Sequence, residues 1–425
     1  MANNKYDIIV LGGGPAGIGS AINIAKKGIS VLLLEQNKIS QTHKTWITFD
    51  YILEKYNIKD CIRNRFSDIL FSCYLGSTYS FKNTDFLYPI HEERALDILA
   101  QTARTNGAEI KEKEAFVNYH IDDKDKTITI NTSKDSYRAK LAIDAMGRDS
   151  QILKSNGLYN NLLDMGCLAF FLEDVDNKND NKMLLFDSYF PGADYFWVVP
   201  LEDDKLMAGT FFFSPLTDNN IKEKTALLKR YLKARNISGK IYDKRQGNIP
   251  LGNQKNINTP YFLSIGDSCN TPLPSSGFSF NRCLDESEIL ADFISTYLDN
   301  KTDITDYKKE ILGYKIPAIE VHLLISDLIS KSTNQILDKA IDAMSRLRED
   351  FLISFLSGTD MSINFALTAS RAIINTYSLS ELRMISLKQD YIKNLLDLYN
   401  LLPAVSSAQV GKQLKDFIYK LIKDI

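Results

Sequence analysis

Histidine is scarce in this chain, with four among 425 residues, and the five cysteines are too few and too scattered to organise a fold. Cys61, Cys73, Cys167, Cys269 and Cys283 are odd in number and contain no C-x-x-C pair. That spacing excludes a disulfide framework and offers no zinc site. Buried thiols in a reducing compartment are the expectation. His43, His91, His120 and His322 fall at no metal-ligand spacing, so no metal is expected. No run of about 18 apolar residues occurs, so no segment should span a bilayer, and peripheral membrane contact stays open. Charge of one sign is lacking too. The 51 Lys and Arg against 53 Asp and Glu leave a net −2, which gives no footprint for nucleic acid. Lys5 leads straight into a strand-like run with no apolar h-region before it, so a cytoplasmic location without a secretory leader is expected.

What is present is ordinary globular material, 44% apolar and 24% charged, long enough for two or three domains. The first patterned stretch is YDIIVLGGGPAGIGSAINIAKKGISVLLLEQ, Tyr6 to Gln36. Asp7 to Leu11 reads as a buried parallel strand. Gly12, Gly14 and Gly17 then give G-x-G-x-x-G. One glycine makes the tight turn, one lets the backbone reach a pyrophosphate, and one lets the helix pack on the strand. Pro15 and Ala16 open that helix, whose N–H groups and dipole favour a phosphate. Ser30 to Leu34 is the next strand, and Glu35, with Gln36 after it, stands where an acid accepts hydrogen bonds from ribose hydroxyls. Strand, turn, helix, strand and acid fall in register within ~30 residues, the context the motif requires.

The kind of dinucleotide is decided further along. AIDAMGRDS, Ala142 to Ser150, runs a strand into a glycine turn at Gly147. FLSIGDSCNTPLPSSGFSFNRCLDESEILADFI, Phe262 to Ile294, is a strand ending at Gly266-Asp267, a Pro/Ser/Gly loop and a helix. In this order they resemble the second and third FAD motifs of the flavoprotein hydroxylases and their relatives. The resemblance implies FAD, with Asp267 on the ribityl chain. It also implies that Ser276, Gly277 and Phe278 lead to a helix N-terminus aimed at the flavin pyrimidine ring, where backbone donors favour negative charge. In HEERALDIL, His91 to Leu99, Arg94 matches the residue that family members place near the flavin phosphates or ribityl. A surface ion pair with Glu92 or Glu93 is the alternative.

The chain also resembles the lycopene cyclases of the same superfamily, over most of residues 5–300. GCLAFFLEDVDNKNDNKMLLFD (Gly166 to Asp187), PSSGFSF (Pro274 to Phe280) and TWITFDYILEKYNIKDCI carry the likeness, and FLSGTDMSINFAL extends it patchily towards the C-terminus. Two departures matter. Those cyclases carry an adjacent Glu-Glu pair, implicated in acid chemistry, in the strand after an apolar-Pro motif. In DYFWVVPLEDDKLMAGTFFF, Asp194 to Phe213, Gly209 and Thr210 stand at that place. A polyene cyclase must protonate a double bond and so needs an acid in an apolar pocket. Second, Asp267 is kept where plant-type cyclases lack it, which resembles geranylgeranyl reductases, aromatic hydroxylases and flavin halogenases. FWVVPL is similar to the Trp-x-Ile-Pro strand of the halogenases, and Lys44 is the nearby candidate for the lysine they use.

The expectation is an α/β protein. A Rossmann-type FAD-binding domain spans 1–160 plus 260–298, with 1–50, about 85–160 and 260–298 as its body. A β-sheet substrate domain covers 161–259, and a helical C-terminal region covers 299–425. Trp46, Tyr195, Trp197 and Phe211 are expected to face the substrate. His43, Asp50 and Glu92 are the candidate catalytic groups. The implied function is an FAD-dependent oxidoreductase, reductase or monooxygenase/halogenase-like, for a hydrophobic isoprenoid or aromatic molecule in biosynthesis. No second G-x-G-x-x-G is present, so NAD(P)H would visit as a transient reductant without a Rossmann domain of its own. A cyclase using reduced FAD without net redox change, and a non-catalytic flavoprotein, are the alternatives.

Overall fold

The structure is a computed structural model that describes residues 4–158, 163–176, 181–190, 195–252, 257–359 and 376–378. Apolar runs without alternation form its parallel sheet. Phe262–Ser264, Leu141–Asp144, Ile8–Leu11, Val31–Glu35 and Glu109–Glu112 lie side by side in that order, with Asn258–Thr259 antiparallel at one edge. The central strands are apolar because both faces are covered, while the edge strand Glu109–Glu112 is polar and partly exposed. Ile8, Val10 and Leu33 face the helices Pro15–Lys26, Glu92–Thr105 and Phe280–Leu298. Ile9, Leu11 and Leu34 face a three-stranded antiparallel sheet, Phe116–Asp122, Thr127–Thr132 and Ser136–Ala139.

A second sheet has seven strands, in the order Lys240–Leu251, Leu163–Glu173, Leu206–Phe212, Tyr195–Pro200, Lys182–Ser188, Asp68–Cys73 and Thr78–Phe81. Its last two strands come from the N-terminal segment, because Asp68–Cys73 adds in parallel to Lys182–Ser188. Alternation sorts its side chains by face. Phe170, Phe196, Val198 and Phe212 pack on the helix Ile221–Ala234, where Tyr231 stacks on Phe196 with ring centroids 4.1 Å apart. Phe171, Tyr195, Trp197, Val199 and Met207 point the other way. That face is covered by the helices Tyr307–Lys331, Asn334–Met344 and Glu349–Ser357. The expected helical C-terminal region is thus seen as far as Ser357. Most of FLSGTDMSINFAL, and the expectation for 379–425, lie outside the described residues. Among the described residues no helix is long and apolar enough to cross a membrane.

Candidate cofactor and substrate site

The glycine turn builds an open cradle. Gly12 sits at φ +106°, and a β-carbon there would be driven into the carbonyl oxygen of Ala145. A β-carbon on Gly17 would strike the carbonyl oxygen of Gly12. Gly14, at the helix N-cap, differs from both: a β-carbon there would meet nothing within 4 Å. No side chain caps this helix and no acid lies in its first turn. Its leading N–H groups and the positive end of its dipole therefore face open space, which suits a pyrophosphate.

The other motif residues surround that cradle. Glu35 ends its strand with Oε2 accepting the Gly13 N–H at 2.7 Å and Oε1 accepting the Asn37 N–H at 2.8 Å. The two bonds hold the carboxylate beside the glycine turn, and Gln36 follows it exposed. Gly147 opens a short turn at φ +77°, and a β-carbon there would also meet nothing within 4 Å. Asp267 lies in the turn Gly266–Cys269, half-buried. Burial pushes its carboxyl up, against the pull of the Lys44 and Lys315 charges, and it accepts no hydrogen bond from a described residue. A half-buried carboxylate with unused acceptors suits a chain of hydroxyls. Past Ser276, Gly277 and Phe278 comes a second helix N-terminus, Phe280–Leu298, again with no side-chain cap and no acid in its first turn. Two uncapped helix ends, a strand-end acid and a carboxylate that accepts no hydrogen bond from the described residues together fit FAD. The pyrophosphate would sit at Gly14, a ribose at Glu35, the ribityl at Asp267 and the pyrimidine edge towards Phe280.

One buried histidine ties this loop to the C-terminal helices. His322 Nε2 lies 2.8 Å from the Phe355 carbonyl oxygen and must donate to it, which leaves Nδ1 to accept the Ser275 hydroxyl at 2.6 Å. Tyr195 Oη donates to the Ser275 carbonyl at 2.6 Å from the sheet side. Burial lowers the imidazole pKa to about 3. The unfolded chain takes up this proton near pH 6.5 and the folded chain only near 3, so His322 adds stability above about 6.5 that is lost as pH falls. We expect the urea midpoint of the protein to exceed that of His322→Gln most at pH 7, with the gap closing towards pH 4. Asp144, raised to about 6 by burial, acts in the opposite sense but equally in both proteins, so it cancels in the difference. Parallel pH profiles would disprove the assignment.

Against the Ser275–Phe278 loop lies an apolar cavity of about 320 Å³. Tyr195, Trp197 and Phe211 of the seven-stranded sheet form one wall, and Leu337, Phe351 and Phe355 of the C-terminal helices the other. Among the described residues, no Asp, Glu, His, Lys or Arg lines it. Trp46, expected at the substrate, instead packs on Phe280 with centroids 5.2 Å apart, while its neighbours Thr45 and Ile47 reach the cavity.

None of the three candidate catalytic groups lines this cavity. His43 is exposed on the loop before Thr45. Asp50 heads the helix Asp50–Lys55, and burial raises its carboxyl. Glu92 is buried in a separate polar cleft with Thr42, His91, Glu93, Arg94 and Arg245, its carboxylate 3.4 Å from Arg245. Arg94 is exposed there, and its ion partner is Asp60, at 3.9 Å, not Glu92 or Glu93. Sequence reasoning missed Arg245, Ser275 and His322 as site residues. The apolar neighbours of His322 in IPAIEVHLLI were a usable signal of burial. Arg245, in the polar run DKRQGN of its strand, gave none.

Known proteins resemble this architecture along most of its length. Residues 7–380 match the family described as lycopene cyclase protein. Digeranylgeranylglycerophospholipid reductase of Haloferax volcanii is 21% identical over 399 residues, covering 85% of this chain and 94% of that protein. The enzyme of the same name from Methanocella arvoryzae is 21% identical over 374 residues, covering 80% and 91%. Among solved structures, a geranylgeranyl bacteriochlorophyll reductase-like protein from Thermoplasma acidophilum superposes with a TM-score of 0.72 at 19% identity, covering 93% of this chain and 99% of that one. A flavin-dependent brominase gives 0.67 at 16% identity, covering 87% and 100%.

Proposed function

The chain belongs to the lycopene cyclase protein family, and from that premise we propose that it is an FAD-dependent oxidoreductase acting on an apolar, isoprenoid-type small molecule. The observation that carries this reading is the lack of any acid among the described residues of the cavity wall. A cyclase has to protonate its polyene from an acid within hydrogen-bond reach. At the place of the cyclase acids, Gly209 lies opposite Trp197 across the strands, and Thr210 lies opposite Phe196 on the other face. The named relatives are reductases of geranylgeranyl lipids, which favours the reductase side of the proposal.

When bound, FAD supplies the redox chemistry. The chain's own residues hold, shape and dry the site. The Gly14 cradle and Asp267 fix the cofactor, Tyr195 and His322 clamp the Ser275–Phe278 loop, and sheet and helices exclude water beyond it. NAD(P)H is the proposed electron donor. Anaerobic NADPH or NADH should bleach the yellow holoprotein. A geranylgeranyl lipid should then restore the colour and gain two hydrogens per double bond by mass spectrometry. In a lycopene-producing host no cyclic carotene should form. Cyclic carotene that disappears in Asp50→Asn or Glu92→Gln would replace the oxidoreductase reading with a cyclase.

A further inference from the structure

Lys44 stands where the cofactor and cavity halves of the site meet. Its carbonyl accepts from Arg245 Nη1 at 2.5 Å, and its N–H donates to Thr42 Oγ1 at 3.1 Å. The next residue, Thr45, lines the cavity, and Trp46 packs on Phe280 at the helix end. The main chain is pinned while the side chain is exposed, and among the described residues the ammonium makes no hydrogen bond and no ion pair. The strand beside it offers a bare floor. Arg245, Gly247 and Ile249 share one face, Ile249 reaches the cavity, and Gly247 pairs with Cys167 of the cavity wall. A β-carbon on Gly247 would meet nothing within 4 Å. The Ser275–Phe278 loop closes the far end, where a β-carbon on Gly277 would come within 3.2 Å of Ile249.

The Lys44 charge reaches both sides of that open space. Burial pushes the Asp267 carboxyl and the Cys167 thiol up, and the Lys44 charge opposes it at both. Neighbouring cations are already balanced, Lys315 by Glu286 at 4.0 Å, and Arg245 by Asp243 at 2.9 Å and Glu92 at 3.4 Å. We propose that the flavin ring lies over Gly247 and Cys167, and that the Lys44 ammonium stabilises its reduced form. The inference rests on the FAD reading. A hydride from NAD(P)H, which leaves as NAD(P)+, brings two electrons and one proton to the neutral ring and gives it one negative charge. A cation held beside the ring favours that anion over the oxidised form, and Coulomb attraction needs no direct hydrogen bond to act.

The test measures midpoint potentials of the FAD-loaded natural protein, Lys44→Met and Lys44→Arg, by slow anaerobic reduction against a reference dye. Removing the charge should shift the two-electron equilibrium towards oxidised flavin about fivefold to fiftyfold, a midpoint lower by about 20–50 mV. Lys44→Arg keeps the charge and should stay within about twofold of the natural protein. An unchanged midpoint in Lys44→Met, or a fall in Lys44→Arg as large as in Lys44→Met, would overturn the proposal and leave the FAD reading standing. Loss of FAD from Lys44→Met would assign the lysine to the pyrophosphate and overturn it too. A natural protein unable to bind FAD would sink the cofactor reading and this proposal together.

Discussion

Gly14→Val is expected to give a folded protein that no longer holds FAD. A β-carbon at this position meets no protein atom within 4 Å, so a valine fits the apoprotein. What it fills is the space in front of the uncapped helix that opens at Pro15. A pyrophosphate pushed off that end forfeits at least two charge-assisted N–H bonds, each worth ~1.5–3 kcal/mol, or about 10²- to 10⁴-fold in affinity. The apoprotein itself should lose only ~1 kcal/mol, since valine is a poorer N-cap than glycine. Circular dichroism and FAD content after gel filtration separate the two effects. Gly17→Val is not an equivalent test, because its side chain would strike the Gly12 carbonyl and disturb the turn whether or not FAD is present. A Gly14→Val protein carrying one FAD per chain would refute the placement of the cofactor.

The second large effect is expected at Glu286, in the helix Phe280–Leu298. Its carboxylate is fully buried, accepts the Thr271 hydroxyl at 2.7 Å, and stands 4.0 Å from both Arg282 and Lys315. Both cations are buried as well. Lys315 also donates to the Cys269 carbonyl at 2.6 Å, and Arg282 to the Gly358 carbonyl at 2.9 Å. Glu286→Gln keeps the shape but leaves two buried cations without their counter-charge. Breaking a buried pair in this way costs ~3–5 kcal/mol. Replacing Lys315 by methionine in the same protein should recover part of the loss, because one orphaned charge goes with it. Urea unfolding of the two single variants and the double variant measures the coupling. A Glu286→Gln protein within ~0.5 kcal/mol of the natural one would show that the carboxylate does not hold these cations.

The proposed cofactor half of the site was legible because each of its motifs is local. Gly12, Gly14, Gly17 and Glu35 fall within one strand–helix–strand unit, and Asp267 and Gly277 within one strand–loop–helix unit, so spacing alone positions them. The proposed substrate half was legible only by residue type. Tyr195, Trp197 and Phe211 were readable as aromatics on inward-facing strands, and they do line the cavity. Trp46 had the same credentials, but a one-residue change of direction turns it onto Phe280 while Thr45 and Ile47 face the cavity. Asp50 and Glu92 are the acids left to nominate once Gly209 and Thr210 stand at the place of the cyclase pair. Their surroundings, a helix start and a cleft closed by Arg245, depend on contacts across distant sequence. The same holds for the Ser275–His322 bond, which spans 47 residues and has no sequence period to announce it.

The parallel sheet also sets an order of events during synthesis. Ile8–Leu11 needs Leu141–Asp144 beside it, and that strand needs Phe262–Ser264. The helix behind them is closed off later still, when the Asn23 side chain meets Ser287, 264 residues away. At about 5–20 residues per second, the first strand–helix–strand unit waits on the order of 10–50 s on the ribosome before its last neighbour exists. The seven-stranded sheet draws on residues 68–251, but one of its apolar faces is covered only by helices of residues 307–357, which emerge later still. Nascent chains should therefore gain protease resistance in both sheets only near the end of synthesis, and capture of the cofactor would be a late step.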